Sequence, residues 1–155
     1  MRAMALAGHN SETVQTASAE ETIALGRKLA ARLRPPKLVL LRGDLGAGKT
    51  TLVKGIAAAL GAAQPDEVTS PTFTLIHEYR GEYRSPEVTV YHIDLYRIET
   101  ERQLATLGID ELLRDKRSLV LMEWGEKFPR FLRERDVEIA IERTGETERK
   151  ITVIE

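Results

Sequence analysis

One eight-residue segment constrains the fold of this chain more than any other feature. Residues 43–50 read GDLGAGKT, which matches the Walker A pattern G-x-x-x-x-G-K-[ST]. The segment follows the apolar run 38–41 and precedes a stretch, 49–60, with apolar residues at helical spacing. A buried strand, a glycine-rich turn and a helix in this order predict a phosphate-binding loop within an α/β fold.

The residue types in this turn suit a bound phosphate chain. Glycines at 43, 46 and 48 tolerate positive φ and leave no Cβ against a phosphate, so backbone N–H groups can converge on an anion. The following helix adds its dipole and free donors. We expect Lys49 to reach the β- and γ-phosphates, Thr50 to hold Mg²⁺ and Thr51 to reach the α-phosphate. The predicted nucleotide-binding residues are Gly43, Asp44, Leu45, Gly46, Ala47, Gly48, Lys49, Thr50 and Thr51.

Strand and helix patterns alternate along most of the remaining chain. A capping box at Ser18 and Glu21 predicts a helix that Pro35 and Pro36 end. Strands are predicted at 12–16, 37–42, 73–79, 88–94, 118–123, 137–143 and 149–154, and short helices at 100–107 and 110–113. This order predicts a three-layer, P-loop NTPase-like α/β fold: a mixed sheet with flanking helices, a C-terminal β-hairpin, and one domain over residues 1–155.

Composition narrows the class of protein. The 155 residues are 42% hydrophobic and 30% charged, which is typical of a globular chain. The net charge of −1 argues against nucleic-acid binding by the whole domain. Cysteine is absent, which excludes disulfides and cysteine-ligated metals. Apolar runs are too short for a membrane helix or a signal peptide, so we expect a cytoplasmic protein with no membrane contact.

Two carboxylates fall where a phosphate-bound Mg²⁺ needs an acidic neighbour. Glu123 follows the apolar run 119–122, and Asp94 ends the predicted strand 88–94. Because parallel strands present their carboxyl ends to a ligand, both can face the phosphates. Either can instead cap a following helix. His77 and His92 lie on strand segments, where a lone histidine is typically structural.

Several strings in this order resemble the bacterial TsaE family, P-loop ATPases needed to make threonylcarbamoyladenosine in tRNA. They are GDLGAGKTTLVKG, TSPTFTLIHEY, VYHIDLYRI, LGIDELL and LVLMEWGEK, and the similarity covers residues 18–127. The combination of SPTF, YHIDLYR and EWGE is far more specific than the Walker A pattern alone. None of these blocks departs from the family pattern.

The resemblance implies a protein that binds ATP and Mg²⁺, hydrolyses ATP slowly and acts on a complex of TsaB and TsaD. In that family TsaD performs the threonylcarbamoyl transfer, and the ATP cycle resets the complex between turnovers. The chain is therefore expected to meet tRNA only indirectly.

The resemblance also implies roles for individual residues. Lys49 and Asp94 are the implied catalytic residues, with Asp94 orienting water or acting as general base. Thr50 and Glu123 are the implied Mg²⁺ ligands. The start of the first helix, 17–22, is expected to border the adenine. Residues 70–74, which include Ser70, Thr72 and Phe73, resemble a switch-like loop that senses the γ-phosphate. Trp124, next to Glu123, is expected to lie near the nucleotide or a partner.

Two other functions remain open. A small P-loop kinase for a metabolite or nucleoside fits the size and the loop equally well, but it needs an acceptor site, for which no motif is evident, and an arginine-bearing lid. Arg130, Arg133 and Arg135 are the candidates for that lid, although interleaved acidic residues favour a solvated helix face. A nucleotide-sensing adaptor with negligible turnover differs from the TsaE-like function only in degree.

Overall fold

One mixed β-sheet organises the part of the chain that the structure, a computed structural model, describes: residues 10–81 and 87–155. The strands are β1 (Ser11–Thr16), β2 (Lys37–Arg42), β3 (Ile76–Gly81), β4 (Val88–Asp94), β5 (Ser118–Glu123), β6 (Val137–Arg143) and β7 (Arg149–Ile154). The helices are α1 (Ala19–Ala30), α2 (Lys49–Ala59), α3 (Glu101–Ala105), α4 (Ile109–Arg114) and α5 (Pro129–Glu134). Short 3₁₀ turns occupy Pro65–Glu67 and Gly125–Lys127.

The sheet has a parallel centre and antiparallel edges. Its order is β1-β7-β6-β2-β5-β4-β3. Strand β2 pairs in parallel with β5 and β6, and β4 pairs in parallel with β5. Strand β3 is antiparallel on one edge, and β7 and β1 are antiparallel on the other. The predicted mixed sheet with a C-terminal hairpin is confirmed.

Helices cover both faces of this sheet. Successive side chains of a strand point to opposite faces, so the continuous apolar run of β2 serves two cores. Val39 and Leu41 pack with α1 and α2, whereas Leu38 and Leu40 pack with α3, α4 and α5. The predicted three-layer architecture is therefore confirmed.

Strand β3 begins later than the sequence predicts. The expected strand at 73–79 starts instead at Ile76, because Leu75 adopts a left-handed backbone with φ 70 that interrupts an extended chain. Phe73 is consequently 82% exposed rather than paired in the sheet. The sequence also predicts a turn that holds Gly81 between the strands at 73–79 and 88–94, but Gly81 is instead the last residue of β3.

The sequence also predicts a loosely structured start that holds His9 and a turn that holds Pro86, and both residues lie outside the described residues. Within residues 10–81 and 87–155, no helix is long and apolar enough to span a bilayer. That residues 1–155 form a single domain stays a prediction.

Candidate nucleotide-binding site

The candidate site lies where three neighbouring parallel strands end. Leu41, near the end of β2, pairs with Glu123 of β5, which in turn pairs with Asp94 of β4. The glycine-rich loop leaves β2 directly and leads into α2. The structure thus brings the loop and both predicted carboxylates to one edge of the sheet.

The loop leaves backbone donors open at the start of α2. Gly46 and Gly48 adopt φ 79 and φ 112, conformations that side chains disfavour. Gly48 is the N-cap of α2 and supplies no side-chain cap. The amides of the first helical turn, including Lys49, Thr50 and Thr51, have no acceptor within the helix. An anion can therefore bind at this helix start.

Lys49 occupies the centre of the site. Its side chain is only 5% exposed. The Nζ atom donates to the Gly43 carbonyl oxygen at 2.6 Å and lies 3.5 Å from Glu123 Oε1. It also lies 4.5 Å from the centre of the Trp124 ring. The ammonium is thus held by a carbonyl, a carboxylate and an aromatic face at once.

Glu123 is buried, and its partners favour the charged form of its carboxyl group. Nε2 of the fully buried His92 donates to Glu123 Oε2 at 2.5 Å. Burial raises the pKa of the Glu123 carboxyl, but the hydrogen bond and charge of His92, together with Lys49, outweigh burial and lower the pKa overall. A carboxylate that keeps its charge in a buried site suits a cation-binding role.

This pKa shift predicts how acid affects stability. The pKa of Glu123 is lower in the folded chain than its ordinary value of 4.5, so its charge contributes stability fully above that value. The contribution is lost as the pH falls through the folded pKa. We expect the free energy of unfolding, measured with urea between about pH 7 and pH 3, to fall less steeply in Glu123→Gln than in wild type.

A matched control isolates this effect. Glu142→Gln removes an exposed carboxylate of β6 and should keep the wild-type dependence on pH. Identical slopes for Glu123→Gln and wild type would show that Glu123 ionisation does not stabilise the fold.

Asp94 is also buried, at 3% exposure, but has different partners. Its Oδ1 accepts a hydrogen bond from the Tyr96 amide at 2.8 Å. Its Oδ2 accepts from Thr72 Oγ1 at 3.5 Å, the long end of the hydrogen-bond range. One carboxylate oxygen is therefore fixed by backbone, and the other is held loosely by the predicted switch-like loop.

That loop is tied at both ends by one imidazole. His77 Nδ1 lies 3.2 Å from the Thr69 carbonyl oxygen, and His77 Nε2 lies 2.6 Å from Thr74 Oγ1. Between these ends, Ser70 Oγ and Thr72 Oγ1 are 2.7 Å apart. Phe73 is exposed to solvent, and the Arg97 guanidinium lies 4.6 Å from its ring centre.

Trp124 joins the site directly after Glu123. It adopts φ 64, and its ring centre lies 5.2 Å from that of Tyr96. The ring nitrogen is buried without a hydrogen-bond partner among the described residues.

Sequence analysis missed two residues that touch this site. His92, treated as structural, contacts Glu123. Alternation along β4 could have revealed it, because His92 shares a face with Asp94, whose register partner is Glu123. Arg149 donates from Nε to the Ala47 carbonyl oxygen at 2.7 Å, and no local pattern points to it.

A glycine-rich loop between a central parallel strand and a helix, beside two buried carboxylates, defines an α/β protein of the P-loop NTPase-like class. A family model described as "Threonylcarbamoyl adenosine biosynthesis protein TsaE" matches residues 16–151. The chain belongs to the TsaE family.

Individual relatives agree with this placement. A protein of Bacillus subtilis (strain 168), named tRNA threonylcarbamoyladenosine biosynthesis protein TsaE, is 40% identical over 138 residues, covering 89% of this chain and 82% of that protein. A Nostoc protein of the same name is 43% identical over 116 residues, which cover 73% of this chain and 67% of that protein. The crystal structure of Bacillus subtilis YdiB matches with a TM-score of 0.70 and 33% identity, covering 94% of this chain and 86% of that one.

Proposed function

We propose that this chain binds ATP with Mg²⁺, hydrolyses it slowly, and acts in that way in the threonylcarbamoyladenosine modification of tRNA. Membership of the TsaE family supports the place in tRNA modification. The observation that best supports ATP binding is the position of Lys49. Its buried side chain belongs to the first turn of α2, which has no side-chain cap, and its Nζ atom lies 3.5 Å from Glu123 Oε1. A cation and open amides at one point suit a phosphate chain.

The residues of the site fit both halves of a magnesium nucleotide. The amides of loop 43–51 and the Lys49 ammonium bind the phosphates. On binding, Lys49 gives up its hydrogen bond to the Gly43 carbonyl oxygen and donates to a phosphate instead. Thr50 and Glu123 hold Mg²⁺, and the lowered pKa of Glu123 keeps that ligand charged. When bound, the ion neutralises charge that develops on the phosphate oxygens.

Asp94 is the proposed general base or water-orienting group. The Tyr96 amide fixes one of its oxygens, which sets the direction of the other. The loose contact of Thr72 with that second oxygen leaves Asp94 incompletely positioned. Because proton transfer depends on a well-placed carboxylate, we expect the chain alone to hydrolyse ATP slowly.

Three exposed apolar side chains lie on segments that form or adjoin this site. Among residues 10–81 and 87–155, the exposed large apolar side chains are Leu45, Phe73 and Tyr96. They lie in the phosphate loop, in the switch-like loop and two residues after the end of β4. We propose that a TsaB–TsaD pair docks here, that TsaD performs the transfer, and that tRNA meets this chain only indirectly.

The kinase alternative finds less support. Two of its three candidate lid arginines are engaged within the chain: Arg130 pairs with Asp110 and Glu134, and Arg135 pairs with Glu138 at 3.1 Å. A kinase would release ADP only with an acceptor, an adaptor would release none, and the proposed protein releases ADP slowly at a rate that its partners change.

Nucleotide-dependent partner binding tests the proposal. We expect a TsaB–TsaD pair to bind more tightly with a non-hydrolysable ATP analogue than with ADP, because the γ-phosphate orders the switch-like loop. Replacing Thr72 and Phe73 together with alanine should reduce this discrimination more than it reduces ATP affinity. Surface plasmon resonance with each nucleotide measures both preferences.

The control is Thr106→Ala, which changes an exposed threonine at the C-cap of α3. It should leave the discrimination intact. Equal partner affinity with the two nucleotides would reject the switch, and absence of partner binding would favour the kinase alternative.

A further inference from the structure

The β6–β7 hairpin supports the phosphate loop through one side chain. Arg149, the first residue of β7, donates from Nε to the Ala47 carbonyl oxygen at 2.7 Å. Its Nη1 atom donates to the carbonyl oxygens of Glu148, Gly145 and Glu146 at 2.9, 3.3 and 3.4 Å. A single guanidinium thereby joins the hairpin turn to a loop 102 residues earlier in the chain.

The loop rests closely against this support. A Cβ on Gly43 would lie 2.6 Å from the Ile141 carbonyl oxygen of β6, a distance that real Cβ atoms do not reach. A Cβ on Gly48 would lie 3.4 Å from Arg149 Nε. A glycine at 43 is therefore needed for the close contact with the hairpin, in addition to any contact with phosphate, whereas at 48 it is the φ of 112 that favours glycine.

The hydrogen bond to Ala47 has a geometric consequence for the next amide. In a planar trans peptide the carbonyl and the following N–H point in opposite directions. Since Arg149 holds the Ala47 carbonyl towards the hairpin, the N–H of Gly48 points away from it. Gly48 has a φ of 112, and a glycine can adopt many other backbone conformations at little cost. Without the hydrogen bond to Arg149, this peptide could therefore rotate and turn the Gly48 N–H away from a bound anion.

We propose that Arg149 is a positioning residue for the phosphate loop: it fixes the Ala47–Gly48 peptide so that the Gly48 amide donates to a phosphate of the nucleotide. This inference rests on the proposed binding of ATP by the loop. Arg149 acts through backbone geometry and contributes no contact of its own to the ligand.

A direct contact between Arg149 and the base is the competing interpretation. Arg149 also lines a cleft of about 250 Å³ together with Ser18, Thr22 and Thr51, beside the start of α1. Pyrophosphate separates the two interpretations because it carries phosphates and no base.

The experiment compares ATP and pyrophosphate affinities of the full chain by calorimetry, well below the unfolding temperature. Arg149→Met should weaken both ligands by a similar factor of about ten, the value of a hydrogen bond to a charged group. Lys150→Ala, which removes a positive charge from the next residue of β7, should change neither. If Arg149→Met does not fold, Arg149→Lys replaces it and should weaken both ligands by a smaller factor.

Each other result overturns a defined part of the proposal. Unchanged affinities in the folded Arg149 variant overturn the positioning role alone. A loss confined to ATP assigns Arg149 to the base, and an equal loss in Lys150→Ala assigns the effect to net charge. A wild-type chain that binds neither ligand overturns the proposed function itself.

Discussion

Replacing Asp94 with asparagine should lower kcat for ATP hydrolysis by about 100-fold or more and should leave ATP affinity near that of wild type. An amide cannot accept a proton from the attacking water. It does keep the size of the carboxyl and can still accept the Tyr96 amide hydrogen bond seen at 2.8 Å. Initial rates of ADP release across a range of ATP concentrations separate kcat from KM.

Two matched variants accompany this measurement. Asp66→Asn changes an exposed carboxylate in the 3₁₀ turn and should keep wild-type kcat. Glu123→Gln should instead weaken the Mg²⁺ dependence of ATP binding. If Asp94→Asn abolished metal-dependent binding while Glu123→Gln had no effect, the two carboxylates would have the opposite roles.

Replacing Lys49 with alanine should weaken ATP binding by about tenfold or more. The change removes a charged donor from the phosphates, and hydrogen bonds to charged groups contribute about 1.5–3 kcal/mol each. It also leaves the buried Glu123 carboxylate with His92 as its remaining described partner. Calorimetric titration with ATP and Mg²⁺ gives the affinity.

The control for lost positive charge is Lys28→Ala, at an exposed position near the end of α1. It should bind ATP like wild type. Equal affinities for Lys49→Ala and wild type would remove the Walker A assignment. Because Lys49 is buried, the thermal unfolding of the Lys49→Ala variant must be measured together with its ATP affinity. The comparison of affinities is then made between folded proteins.

Much of the fold could be predicted because its central strands carry strong patterns. The continuous apolar runs of β2 and β5 require cover on both faces, which the structure provides through two cores. The start of β3 could not be predicted, because nothing local shows that Leu75 adopts a positive φ. That conformation depends on a turn in which the Leu75 amide bonds the Pro71 carbonyl oxygen at 2.7 Å.

The convergence of the candidate site follows from a rule that sequence can use. Parallel strands end at one edge, so the residues that close β4 and β5 meet beside the phosphate loop. His92 was within reach of the same reasoning through strand alternation. Arg149 was not, because its contact with Ala47 depends on how β6 and β7 pack against the loop.

The most direct measurement of nucleotide binding at this site is a titration with ATP and Mg²⁺ followed through Trp124, the one tryptophan of the chain. Lys49 Nζ lies 4.5 Å from its ring centre, so ATP that draws the ammonium towards phosphates changes the environment of the ring. We predict a saturable change in emission below about 1 mM ATP. Emission that stays constant up to that concentration would contradict an ATP site formed by the Gly43–Thr51 loop.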